Sequence, residues 1–231
     1  MHRRKVRLFF LFAAFCALFY SCENSTPDIA KVEAKIVYDY ENEKDLPSQR
    51  LSVFLQLNSD TRRADFFSIY NKESGMRWYI NEPLISQKGS AYYAGYTSCS
   101  IPTQKSLAFP VGKYSVFYSD SEGNESYSEF ALEYDSDDAV KKIDELKKKI
   151  LKKESDNEEK IQMFIGVYSE NCHLIYYGFL QPEWKIKNGF EISNSQVIFN
   201  KYKNSSFFRI FYEVGDSVYI LPRVEKNADK Q

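Results

Sequence analysis

The sequence predicts a mainly β chain: an antiparallel β-sandwich, one amphipathic helix, then a second antiparallel β-meander unit. Three observations carry this. Apolar and polar residues alternate at a period of two in many short runs. Gly, Asn, Asp and Ser cluster between those runs as turn signals. Only the stretch from 136 to 157 changes to helical spacing.

The first 21 residues stand apart. MHRRKVR carries Arg3, Arg4, Lys5 and Arg7 and no acid, and Leu8 to Tyr20 is wholly apolar or aromatic. That run is about half the length that crosses a bilayer as a helix. A basic head followed by a short apolar stretch is the pattern of a secretory signal. The run ends Leu18-Phe19-Tyr20-Ser21-Cys22 and turns polar at once, in ENSTPD. This resembles the lipobox of bacterial lipoproteins, in which a small residue precedes a Cys that is acylated and becomes residue one. Phe19 stands where the strict motif has Leu, and Leu18 lies one place further out, as in the relaxed lipobox of spirochaete lipoproteins. The resemblance covers residues 1–22. It implies Sec-type export, removal of 1–21, a diacylglycerol thioether at Cys22 and further acylation such as palmitate. The protein would then be held on the inner or outer membrane of the cell envelope. Two or three acyl chains anchor stably where one is marginal.

Residues 22–31 read as a tether. From Val32 the period-two pattern begins: Val32, Ala34, Ile36, Tyr38 and Tyr40 on one face. LSVFLQL (51–57), RADFFSIYN (63–71), MRWYI (76–80) and AYYAGYT (91–97) continue it. GKYSVFYSDSEGNESYSEFALEY (112–134) reads as a hairpin, with Gly123 free to take the positive φ of a bulged loop. A Gly-x-Tyr opening a strand, Asp and Gly in the loop after it, and Trp78 in an earlier strand resemble immunoglobulin-like and fibronectin-like sandwiches over residues 32–135. In 136–157, Ser136 or Asp137 is the expected N-cap, and Val140, Ile143, Leu146 or Lys147, and Ile150 the apolar stripe. Asp137 and Asp138 would sit in the first turn, and Lys152 and Lys153 in the last, as the helix dipole favours. After it, in a β unit expected over 158–224, IQMFIGVYS (161–169) and CHLIYYGFL (172–180) read as a hairpin turned at Glu170-Asn171. Trp184-Lys-Ile and Phe190-Glu-Ile flank a turn, and VIFNKY, FFRIFYEV and SVYILPRV form a meander up to Val224. The tail 225–231 is expected to fray.

Composition narrows the function. There are 31 Lys and Arg against 32 Asp and Glu, and loss of the four signal cations leaves 27 against 32. A mildly acidic chain without a basic stripe argues against a nucleic-acid partner. Beyond the signal, Cys22, Cys99 and Cys172 are the cysteines; Cys99 and Cys172 could pair in an oxidising envelope or stand as two small hydrophobes. His173 is the one histidine outside the signal, which excludes a site built on clustered imidazoles. Its phase with Ile175, Tyr177 and Phe179 suggests a half-buried strand position. GxSxG, HExxH, P-loop and GxGxxG patterns are lacking, and no cofactor or metal is implied.

Asp and Glu are plentiful, but no spacing selects the two carboxylates a glycosidase needs. DSEGNE (120–125) is too short for an EF-hand loop. Aromatic runs are the remaining feature. In FFRIFY, Phe208, Ile210 and Tyr212 share one face, and Phe207, Arg209 and Phe211 the other. If the second face is open, Phe207, Arg209 and Phe211 suit a protein interface, where aromatics and Arg concentrate. The expectation is a non-catalytic, lipid-anchored binding or structural module, partnered by the membrane and by another envelope protein. The alternatives are a hydrolase with paired carboxylates and a periplasmic carrier with an apolar β-lined pocket.

Overall fold

The structure, a computed structural model, describes residues 26–58, 61–101, 108–155, 161–184, 186–187 and 191–226. The fold is mainly β. Its first part comprises β1 (Ile29–Asp39), β2 (Ser48–Leu57), β3 (Ala64–Asn71), β4 (Arg77–Ile80), β5 (Leu84–Lys88), β6 (Ala91–Cys99), β7 (Gly112–Asp120) and β8 (Glu125–Leu132). β1 begins at Ile29, so the expected tether is shorter than 22–31. β5 was not anticipated; its side chains are all exposed, which erases the apolar alternation.

These strands order as β1-β2-β6-β5 in one sheet and β4-β3-β7-β8 in the other. That is the immunoglobulin-type arrangement with one added edge strand. Inward side chains of both sheets, among them Tyr38, Leu51, Val53, Phe67, Ile69, Val116 and Tyr118, belong to one buried cluster. Tyr114, the third residue of Gly-x-Tyr, donates its hydroxyl to Pro110 O at 2.6 Å, the tyrosine corner of such sandwiches. Gly123 does adopt φ +81°, and Asp120 closes the turn by accepting from the Glu122 and Asn124 backbone N–H groups. Trp78 departs from the resemblance. It lies on edge strand β4, half-buried against Phe109 at 5.8 Å, and not in the centre of the core.

The expected helix over 136–157 is split. A 3-10 turn, Ser136–Val140, is capped by Asp135, whose carboxylate accepts from Asp137 N–H. The α-helix α1 runs Ile143–Ser155. Ile143, Leu146 and Ile150 are buried as expected, but Val140 points out at 57% exposure. The break turns Asp138 inward, where it is fully buried, rather than leaving it on the dipole of a first turn.

The second part comprises β9 (Gln162–Tyr168), β10 (Leu174–Phe179), β11 (Ile186–Lys187), β12 (Glu191–Ile192), α2 (Ser195–Lys201), β13 (Phe207–Val214), β14 (Ser217–Ile220) and β15 (Val224–Glu225). Helix α2 corrects the expected strand at VIFNKY and the expectation of a single helix. Asn194 caps it by accepting from Gln196 N–H, and the consecutive Ile198 and Phe199 are both buried. A strand would have sent those two to opposite faces. β15 pairs with β13, so Glu225, the first residue of the expected frayed tail, is in a strand; residues 227–231 lie outside the described residues. β14 pairs in parallel with β1, Ile36 opposite Ser217 through Asp39 opposite Ile220. The two parts therefore share one nine-stranded sheet, ordered β10-β9-β13-β14-β1-β2-β6-β5 with β15 beside β13.

Candidate binding surface

The outer face of that sheet changes character along its width. Over β1 and β13–β14 it is ionic: Lys35 meets Glu213 at 3.0 Å and Asp216 at 3.8 Å. Towards β10 it becomes aromatic. Strand pairing aligns Asp39, Ile220, Phe211, Phe164 and Phe179 in one row across β1, β14, β13, β9 and β10. Residues directly opposite in a sheet share a face, so this row stands on the outer surface. Phe164 stacks on Phe179 at 4.6 Å and on Tyr177 at 5.7 Å, and Tyr177 meets Phe211 edge-on at 5.7 Å. Phe164 and Phe211 are half-buried beneath the outer two. Tyr177 is 52% and Phe179 64% exposed.

Gly166 lies in the same face, opposite Tyr177 and Arg209. A Cβ there would come within 2.7 Å of the Tyr168 hydroxyl. Its absence lets Tyr168 lie across the strand and stack on Phe207 at 5.0 Å.

The three residues expected at an interface divide. Phe207 is buried under Tyr168 and under the Arg223 guanidinium, 5.7 Å from its ring. Arg209 is half-buried and fully engaged. Its Nη2 donates to Asp39 at 2.6 Å and to Tyr40 O at 2.9 Å, and its Nε donates to Leu221 O at 2.8 Å. Arg50 completes the group from the other side of Asp39 at 3.1 Å. Arg209 therefore joins β13 to the end of β1. Phe211 belongs to the aromatic cluster, but the exposed members are Tyr177 and Phe179. The run IYYGF carried that signal; what the sequence did not give was the strand order that makes β10 an edge.

Elsewhere, Asp138 gathers the densest polar cluster. It accepts from Lys141 at 2.8 Å, from Lys149 at 2.7 Å and from the Tyr219 hydroxyl at 2.5 Å. Asp135 accepts from Lys149 as well, at 2.7 Å, and this contact holds its carboxyl below the usual range. Burial and the Asp138 charge push the Tyr219 phenol far up. Asp138 and Tyr219 are buried, the two lysines reach them from the surface, and the group clamps α1 onto β14. A cleft of about 480 Å³ opens beside α1, with Ile143, Phe208, Ile210 and Leu221 as floor and Glu43, Lys147, Glu191 and Arg223 at the rim. It is neither enclosed nor uniformly apolar.

Cys99 is buried and Cys172 exposed, and both are free thiols. The β9–β10 turn falls at Glu170-Asn171 as expected, closed by Cys172 N–H donating to Ser169 O at 3.0 Å, and Cys172 follows it with a positive φ of 59°. His173 is exposed just ahead of β10, not half-buried in a strand, and Ile175, Tyr177 and Phe179, its expected in-phase neighbours, are exposed as well. Among the described residues there is no group of three His, Cys, Asp or Glu placed to hold a metal, and no helix long and apolar enough to cross a membrane. Cys22 and the signal lie outside the described residues. Comparison with protein-family models, curated proteins and solved structures gives no match.

Proposed function

We propose that this protein is a lipid-anchored, non-catalytic binding module of the cell envelope, and that it engages another envelope protein through the aromatic outer face at β9, β10 and β13. The observation that carries the reading is the Phe164–Tyr177–Phe179–Phe211 cluster, with two large rings left in solvent at a sheet edge. Exposed contiguous aromatics at this scale mark interaction sites in soluble proteins. The arrangement also fits an anchored molecule. Cys22 lies seven residues before Ile29, a reach of roughly 25 Å at most. Phe179 is level with the far end of β1, about 33 Å further along the strand. The patch would face away from the membrane, towards a partner.

Two experiments test this. Replacing Cys22→Ala should release the protein from membrane fractions and alter its processing; retention with unchanged processing would sink the anchor. A photo-reactive amino acid at position 177 should give a defined adduct in intact envelopes, and the same group at exposed Tyr127 on β8 should not. Equal labelling from both positions, or none from 177, would remove the aromatic face from consideration.

A further inference from the structure

The edges of the sheets differ in one respect. β5 carries Lys88, β4 Arg77, β8 Glu125 and Glu129, and β15 Glu225; the short β12 carries Glu191. Charges of this kind are how sheet edges resist pairing with other chains. β10 reads LIYYGF, with no charge and no proline. Among the described residues no strand pairs its outer side.

The hydrogen-bond phase identifies which groups are open. Leu180 N–H donates to Met163 O at 3.0 Å. Antiparallel pairs alternate between bonded and non-bonded, so Gly178 and Tyr176 also face β9. The N–H and C=O of Tyr177 and Phe179 therefore point away from the sheet. Their side chains are the exposed rings of the aromatic cluster. Main chain and side chain thus open at the same two residues. The bulge at Leu174–Tyr176 interrupts the ladder before them and leaves 177–179 as the regular stretch.

We propose that β10 accepts an extended, uncharged strand of a separate polypeptide as a tenth strand of the sheet, bonded to the main chain of Tyr177 and Phe179, with its apolar side chains laid along the aromatic cluster. A row of unpaired peptide groups is complemented only by another peptide backbone in the β conformation, which rules against a lipid, a helix or a small ligand at this edge. The neutral edge selects a neutral strand, since a charge brought there meets no counter-charge on β10. A second copy of this chain is disfavoured. Antiparallel twofold pairing of two β10 strands would point the two β1 strands, and the anchors before them, in opposite directions. The inference rests on the binding-module reading and specifies its partner.

The test uses the purified full chain in detergent and a neutral seven-residue peptide of alternating Thr and Tyr or Val, capped at both ends. A second peptide of the same sequence is N-methylated at alternate residues, which blocks one bonding edge and keeps the side chains. The first peptide should bind and slow hydrogen exchange at the Tyr177 and Phe179 amides; the methylated one should bind about tenfold more weakly or worse. Phe179→Lys, on a side chain 64% exposed, should weaken binding by a similar factor while lowering the melting temperature only by the lost stacking on Phe164, a few degrees. Equal affinity for both peptides would overturn strand addition and leave an aromatic docking face. Lack of binding by the first peptide to a monomeric chain would overturn it too, while the cross-linking at position 177 reports on the face separately. A chain that is dimeric alone, and that Phe179→Lys makes monomeric, would assign the edge to a second copy.

Discussion

Replacing Asp138 by alanine is expected to destabilise the protein by about 3–4 kcal/mol. The carboxylate is fully buried and satisfied by three donors: Lys141 at 2.8 Å, Lys149 at 2.7 Å and Tyr219 at 2.5 Å. The lysines retain 25% and 20% exposure and can turn to water or to Asp135, so their loss falls at the low end of a broken buried pair. Tyr219 is more confined. Its ring is buried and stacked on Tyr38 at 5.2 Å, and its hydroxyl would keep Ser217 as a side-chain partner, so the loss is that of the charged acceptor, about 1.5–3 kcal/mol. For a chain of this size the sum corresponds to a fall in melting temperature of roughly 6–16 °C. Urea unfolding and calorimetry would measure it. Tyr219→Phe should cost about 1.5–3 kcal/mol alone and almost nothing further in the Asp138→Ala background, because its partner is already gone. A cost below about 1 kcal/mol for Asp138→Ala, or full additivity of the two changes, would refute the clamp.

Arg209→Lys should be destabilising by about 1.5–3 kcal/mol, since one ammonium cannot reproduce a fork that reaches Asp39 and the carbonyls of Tyr40 and Leu221 together; a change within 0.5 kcal/mol would argue otherwise. Mass-mapped alkylation of the native protein should modify Cys172 and spare Cys99, whose thiol burial pushes up to about 12; equal rates before unfolding would contradict the burial. Stability should fall in acid. Burial raises the Asp120 carboxyl, but bonds from Asn124 and Glu122 N–H and the Arg63 charge outweigh it, so both Asp120 and Asp135 lie below the ordinary range. Their contribution is complete above about pH 4 and lost as pH falls through the lower folded-state values. The melting temperature should drop from pH 4 to pH 2.5, less steeply in Asp120→Asn/Asp135→Asn, and identical slopes would refute the assignment. A fragment of residues 161–226 should lack native sheet signal by circular dichroism, because β14 loses β1 and Tyr219 loses Asp138; an independently folded fragment would show the sheet join to be dispensable.

What the sequence revealed and what it hid separate along the range of the interactions. The strands β1, β2, β3 and β7, and the hairpin turn at Gly123, were legible because alternation and turn chemistry are local. α1 was legible as an amphipathic stripe. Its true start was not, since the break at Lys141–Lys142 comes with Asp138 turning towards Tyr219, 81 residues away. α2 misled because β-branched and aromatic residues favour strands, while the Asn194 cap and the burial of both Ile198 and Phe199 are tertiary outcomes. At the candidate surface, the composition of FFRIFY and IYYGF announced an aromatic face. Alternation cannot say whether a strand is central or at an edge, and that distinction moves the exposed residues from Phe207 and Arg209 to Tyr177 and Phe179.

The parallel pairing of β1 with β14 makes this distinction mechanical. Antiparallel neighbours are joined by tight turns, but a parallel pair needs a long connection, and here the connection is most of the chain, 40–216. β14 is therefore joined to β1 by contacts and not by a short loop. β13 docks on β14, β9 on β13 and β10 on β9. Arg209 and the Asp138 clamp fasten the two joints nearest the sandwich, one on each face of the sheet. The aromatic edge is the last strand of that series. It is carried laterally away from β1 and level with the end of β1 remote from Cys22. A partner strand at β10 would add to the series by the same rule that placed each strand before it.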